Sequence, residues 1–217
     1  MNDKKEKCDV LVVFDLDGTL SRSHICILES VKRTLDAFSL PQVSEKLIMS
    51  LIGEQYVTFF SAIAPGCDDY VKMERVYTDI EYQVIRESGQ LFPGVPEMLD
   101  ALRALGCAIA LCSNGSVEYE ELVADATGIR AKFDALVSGG DFASKTAAVT
   151  RISTEMFPRK ITVMVGDRKH DIDAALGNNA VAIAALYGYG SERELSGANY
   201  FVREPSEIVG IVKSLCQ

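Results

Sequence analysis

Tryptophan is absent from the 217 residues, histidine occurs twice, and 22 basic residues face 31 acidic ones. Each shortage excludes something. A net charge of −9 leaves no basic footprint for a phosphate backbone, which argues against nucleic acid as a partner. Two histidines, and six cysteines scattered at 8, 26, 67, 107, 112 and 216 without a C-x-x-C pair, argue against a His/Cys zinc site. The chain is also too large to need disulfide staples, so reduced, mostly buried thiols in a cytoplasmic protein are expected. No membrane span is expected, because the uncharged stretch Ala174 to Ser191 is broken by Gly177-Asn178-Asn179, Gly188 and Gly190. An export signal is not expected either: MNDKKEK mixes signs, and the apolar run Val10 to Phe14 stops at Asp15.

What is present is a globular composition, 48% apolar, in a length that fits one domain or one domain with a small insert. Short runs rich in Val and Ile recur at 8–14, 107–112, 135–137, 161–165, 180–186 and 199–202. Most lack polar alternation, which suits strands of a mainly parallel sheet buried on both faces. Helical spacing separates them, as in Val95, Met98, Leu99, Leu102 and Leu105, or Ile208, Val212 and Leu215. The pattern predicts a doubly wound α/β fold, Rossmann-like in its core. From Ile25 to about Arg86 the alternation stops and only helical stripes remain: Leu28, Val31, Leu35, Phe38; Leu47, Ile48, Leu51, Ile52; Val57, Phe60, Ile63; and Met73, Val76, Ile80, Val84. We expect a core at 1–22 and 88–217 with a small all-helical cap, 23–87, inserted after the first strand and built around those stripes.

Ligands of open parallel sheets bind at the carboxyl ends of the strands. There the sequence puts Asp15-Leu16-Asp17-Gly18-Thr19, Ser113-Asn114-Gly115, and Gly166-Asp167 with Asp171 four residues on. A loop, Ser138-Gly139-Gly140-Asp141, leads into a helix that starts near Lys145. Crowded carboxylates without histidine or thiolate call for a hard cation, Mg²⁺, with Asp15 and Asp167 as ligands. Ser113, the amides near Asn114 and Lys145 supply what a phosphate dianion needs, so the set suits metal-assisted phosphoryl transfer. The motifs G-x-x-x-x-G-K-[ST], G-x-S-x-G and C-x₅-R are missing, which removes the nucleotide P-loop, serine hydrolase and cysteine phosphatase readings.

FDLDGTL (14–20), Ser113-Asn114, Lys145 and VGDRKHD (165–171) resemble, in order and spacing, the four motifs of the haloacid dehalogenase superfamily of phosphatases. With Tyr187-Gly188-Tyr189-Gly190, the chain looks most like the phosphoglycolate phosphatase-like and 5′-nucleotidase-like branch. The resemblance implies that Asp15 is a nucleophile forming an aspartyl-phosphate and Asp17 the acid/base. It implies Mg²⁺ held by Asp15, the backbone carbonyl of Asp17 and Asp167, with Asp171 orienting Asp167 or a metal-bound water. Gly18 would keep its amide open to the phosphate, Thr19 would hold Asp17, and Ser113, Asn114 and Lys145 would clamp the transferring oxygens. By analogy, Arg22 and Gly53-Glu54-Gln55 would contact the leaving group, although Arg22-Ser23 stands where relatives often have Asp-Ser. His170 is expected as a loop residue packed beside the site. The activity implied is hydrolysis of a small phosphorylated metabolite. A sugar phosphomutase with the same aspartyl-phosphate and a non-catalytic binding module are the alternatives.

Overall fold

The computed structural model describes residues 8–54 and 56–216. Among them six strands form one parallel sheet in the order β3-β2-β1-β4-β5-β6: β1 Val10–Phe14, β2 Ala108–Ser113, β3 Ala135–Ser138, β4 Ile161–Gly166, β5 Val181–Ala185 and β6 Tyr200–Val202. The central strands are buried end to end, which is why their sequences carry no polar alternation. Their side chains still alternate between two cores. Val10, Val12 and Phe14 pack on one face with Leu99 and Leu102 of α5 (Val95–Leu105), Val123 of α6 (Val117–Ala126) and Val212 of α9 (Ser206–Leu215). Leu11 and Val13 face the other way, toward Ala148 and Val149 of α7 (Lys145–Arg151) and Ala174 and Ala175 of α8 (Lys169–Gly177).

Between β1 and α5 lie α1 (His24–Ala37), α2 (Glu45–Leu51), α3 (Tyr56–Ile63) and α4 (Tyr70–Ser88). Ser44 and Asp69 cap α2 and α4 by accepting from Leu47 N and Lys72 N. The four helices share a hydrophobic cluster of their own, including Val31, Leu35, Ile48, Phe60, Ile63 and Met73. The lower end of α4, Val84 and Ile85, joins the main core instead. The chain enters and leaves this segment side by side. Arg22 N donates to Gln90 O (2.8 Å) and Phe92 N to Leu20 O (2.9 Å).

Two expectations fail here. Val57 belongs to the α3 stripe, yet it is 83% exposed, because Phe59, Phe60 and Ile63 supply the buried face of that short helix. The cysteines are not all reduced either. Cys8 and Cys216 form a disulfide, since the core packing of α9 lays the end of the chain against the start of β1. Cys26, Cys67, Cys107 and Cys112 are free. No helix among the described residues is long and apolar enough to cross a membrane.

Leu99 is fully buried between α5 and the sheet. Leu99→Ala should therefore destabilise the protein by about 2–5 kcal/mol in urea unfolding, whereas Val57→Ala should stay within about 0.5 kcal/mol of wild type.

Candidate active site

Asp15 follows β1, Ser113 ends β2, Asp167 follows β4 and Lys145 opens α7, so the strand order converges four segments on one edge of the sheet. Lys145 Nζ lies 2.5 Å from Asp15 Oδ1 and 2.5 Å from Asp171 Oδ1, all three side chains buried. Thr19 Oγ1 reaches Asp15 Oδ2 at 3.3 Å and Asp167 Oδ1 at 3.2 Å. The second oxygen of Asp167 accepts from Tyr189 N (2.6 Å), and the second of Asp171 from Arg168 N (3.0 Å) at the start of α8.

This is a cluster of buried carboxylates short of positive charge. Burial raises Asp15 well above the ordinary carboxylate value against the pull of Lys145, with Asp171, Asp167 and Asp17 adding to the rise. Burial, then Asp171, pushes Asp167 up to about 7. The Lys145 ammonium is raised by Asp15 and Asp171, which outweigh its own desolvation. A divalent cation would remove the excess, and its place is narrowed by Lys145. The gap between Asp15 and Asp171 is filled, whereas Asp15 and Asp167 face each other across a single hydroxyl. An all-oxygen donor set of this kind fits Mg²⁺. His170 Nε2 lies 3.5 Å from Asp171 Oδ1, and the His170 ring also comes within reach of Asp15. It sits in the first turn of α8 rather than in a loop, and burial lowers its pKa, which disfavours a second cationic charge there.

Several sequence expectations are redistributed. Thr19 holds Asp15 and Asp167 rather than Asp17. Asp17 accepts instead from Tyr119 Oη (2.8 Å) and from Ser23, against a burial that raises its pKa. The Gly18 amide is not open, because it donates to Ser21 O (2.9 Å) in the tight turn. Glycine is required there for another reason: φ is +86°, and a methyl group would overlap the Asp167 carboxylate and the Tyr189 ring. Lys145 is engaged behind Asp15 and does not line the cavity above it. Arg22 does not line it either, since its guanidinium faces Gln90 Oε1 at 3.4 Å.

The cavity is small, about 140 Å³. Asp15, Asp17, Ser113, Asn114, Gly115 and Tyr119 form its floor; Ile27, Leu51, Ile52, Gly53, Glu54, Phe59 and Tyr77 of the helical segment cover it; Arg168 and His170 close one side. Gly53 and Glu54 thus lie where leaving-group contacts were expected, and Gln55 falls outside the described residues.

The sequence reading missed the supports. Tyr189 Oη meets His24 N (3.0 Å), His24 Nδ1 (3.1 Å) and Ser23 Oγ (3.3 Å), tying the start of α1 to the loop that holds Asp167. Arg168 Nη1 donates to Ile52 O (2.7 Å) and its Nε to Glu194 (3.0 Å), fastening the cover from the other side. Glu120 accepts from Ser113 N (3.0 Å) beneath the floor. Its second oxygen, like that of Glu81 in α4, is buried without a hydrogen-bond partner among the described residues. Burial pushes both carboxyls up to about 8. A lone Glu within a helix carries no such signal in sequence.

The fold gathers the carboxylate cluster at the strand ends, where open parallel sheets place their active sites. Residues 12–185 match the model of the haloacid dehalogenase-like hydrolases, and the chain belongs to that family. It is 26% identical over 219 residues to a phosphoglycolate phosphatase of Vibrio parahaemolyticus, covering 93% of this chain and 95% of that one. It is 30% identical to a probable phosphatase, IndB, of Dickeya dadantii, covering 94% of each. A crystal structure described as a predicted phosphoglycolate phosphatase of Haemophilus somnus superposes with a TM-score of 0.84 at 24% identity, over 93% of this chain and 96% of that one.

Glu81 is protonated in the folded protein at pH 7, whereas in the unfolded chain it titrates near its ordinary 4.5. A folded-state pKa raised in this way makes wild-type stability fall between about pH 4.5 and 8. Glu81→Gln should remove that slope, so the variant gains on wild type by at most roughly 1.4 kcal/mol per pH unit across the window and levels off above it. Urea unfolding at pH 5, 6.5 and 8 reads the difference, and parallel stability curves would contradict it.

Proposed function

We propose that the chain is a Mg²⁺-dependent phosphomonoesterase acting on a small phosphorylated metabolite through an aspartyl-phosphate on Asp15. The observation that carries this reading is the asymmetric surrounding of Asp15. One oxygen is held by Lys145, while the other faces Thr19, Asp167 and the cavity floor. Asp15 and Asp167, with the backbone carbonyl of Asp17, would hold Mg²⁺. The ion would supply charge neutralisation between the nucleophile and the incoming dianion.

Ser113 and Asn114 on the floor would orient the phosphoryl oxygens. The Asp15 carboxylate would attack phosphorus in line with the bond to the leaving alcohol, and the bond to that alcohol would break as the one to Asp15 forms. Asp17, its pKa raised by burial and its carboxyl positioned by Tyr119, would give a proton to the departing oxygen. It would then take a proton from the water that hydrolyses the aspartyl-phosphate. Asp171 would act at a distance by sharing Lys145 with Asp15. The helical segment would serve as a cap that excludes bulk water, held closed by the Tyr189 and Arg168 contacts.

The small cavity favours phosphoglycolate over a 5′-nucleotide as substrate, and Arg168 on its wall is a cation that a glycolate carboxylate could face. The relatives named phosphoglycolate phosphatases agree with that choice. A cytoplasmic location belongs to the same proposal.

Asp15→Asn should abolish phosphate release, by at least about 10³-fold, with an unchanged circular dichroism spectrum and melting temperature near wild type. Activity in the variant would remove the nucleophile from the mechanism. Phosphate release should also stop in excess chelator and return with Mg²⁺, and full turnover after chelation would exclude the metal. A panel of phosphoglycolate, nucleoside monophosphates and glucose 1-phosphate, ranked by kcat/KM, tests the substrate; isomerised sugar phosphate without free phosphate would identify a phosphomutase instead.

A further inference from the structure

At the opposite edge of the sheet, three sulfurs converge. Cys8 precedes β1 and Cys107 precedes β2; the parallel register that pairs Leu11 with Ala108 sets Cys107 beside Val10, with Cys8 two residues before Val10, near enough for the two cysteine side chains to meet. Cys8 N donates to Leu105 O (3.3 Å), which fixes the approach. Cys216 arrives from the end of α9, anchored by Ile208 and Val212 in the core. The Sγ atoms of Cys8, Cys107 and Cys216 all lie within 4.8 Å of one another. Cys8 and Cys216 are bonded, and the free thiol of Cys107 points at Cys8 Sγ from 3.7 Å. β1 separates this cluster from Asp15 by its full length, roughly 17 Å for five residues, so it takes no part in the phosphatase site.

We infer that Cys8, Cys107 and Cys216 form a disulfide-exchange site in which Cys8 is the shared sulfur. The Cys107 thiolate, after losing its proton to water, attacks Cys8 Sγ; the Cys8–Cys107 bond forms as the Cys8–Cys216 bond breaks, and the Cys216 thiolate that leaves takes up a proton. Two electrons stay within the trio throughout, so no outside oxidant or reductant is consumed. In one state the end of α9 is fastened covalently to the first strand. In the other, two neighbouring strands are linked to each other, and Cys216, the partly exposed member, becomes a free thiol available to small disulfides. Burial pushes the Cys107 thiol up to about 11, with the Arg159 guanidinium drawing it partly back. The attacking thiolate is therefore scarce at neutral pH, and exchange runs over minutes to hours.

The test is peptide mapping by mass spectrometry of the full chain, alkylated and digested without reduction. Cys107 and Cys112 share one tryptic peptide, so fragment spectra locate each link. After hours at pH 8.5, wild type should show a Cys8–Cys107 link beside Cys8–Cys216, while Cys26, Cys67 and Cys112 alkylate as free thiols. In Cys216→Ser, incubated with glutathione disulfide as oxidant, Cys107 should lose its reactivity toward alkylation as the Cys8–Cys107 link replaces it. Phosphate release by the same sample, at the wild-type rate, shows that this variant is folded. A wild-type map holding only Cys8–Cys216, or a folded Cys216→Ser chain in which Cys8 and Cys107 both alkylate completely, would overturn the assignment.

Discussion

Lys145 sits between Asp15 and Asp171 at 2.5 Å from each, out of contact with solvent, and the geometry of the site follows from that pairing. Buried ions are costly unless paired, and four carboxylates around one ammonium leave the pairing incomplete. The ammonium satisfies one oxygen of Asp15 and one of Asp171. What remains is directional: the unclaimed side of Asp15 turns toward Asp167, and the unclaimed oxygen of Asp171 turns to the Arg168 amide. One lysine thereby decides which face of Asp15 stays open and which segment supplies the opposing carboxylate. Removing it would leave two like charges buried together, a defect in stability as well as in chemistry.

The cover over the site is fastened by polar contacts rather than by a continuous core. The helical cluster and the sheet cores are separate, and they meet where Cys26 of α1 and Val84 and Ile85 of α4, flanked by Ile80 and Tyr82, join the sheet side. Elsewhere the links are single groups: Tyr189 to Ser23 and His24, and Arg168 to the Ile52 carbonyl. Such contacts exchange with water at little net cost, which suits the proposed role of the helical segment as a cap over the site. Both start from residues adjoining Asp167, so opening the cover and disturbing the Asp167 carboxylate are mechanically connected.

The strands were legible because burial on both faces removes polar residues, and Val163 or Ile183 announces that directly in sequence. The aspartates were legible because polar residues at the ends of such runs have few structural reasons to be there. What could not be read was the pairing among them. Thr19 lies two residues from Asp17 yet bonds Asp15 and Asp167, because the turn closed by the Gly18 amide rotates its hydroxyl inward. Arg22 looked like a substrate contact but is taken by the chain leaving the helical segment, at Gln90. Val57 kept the helical spacing and lost the burial, since a two-turn helix needs only part of its stripe. Cys8 and Cys216 are separated by 208 residues, and nothing local in either segment points to the other.

The two sheet faces also differ in a way that serves the chemistry. The face under α7 and α8 is rich in small side chains: beside Leu11, Val13 and Met164, Ala108, Ala110, Ala182 and Ala184 from the strands meet Ala148, Ala174 and Ala175 from the helices. Small residues let a helix approach a sheet closely. Here the approach has a purpose, since Lys145 is the first residue of α7 and Asp171 lies in the first turn of α8. Were leucines in place of these alanines, both helices would be pushed outward, and an ion pair at 2.5 Å tolerates no such shift. The opposite face, with Phe14, Leu99 and Leu102, carries the bulk of the apolar volume and holds no member of the lysine–aspartate set. Apolar bulk and the buried charge cluster are thus assigned largely to different sides of one sheet, and the alanine-rich side trades apolar volume for the proximity that the buried charges require.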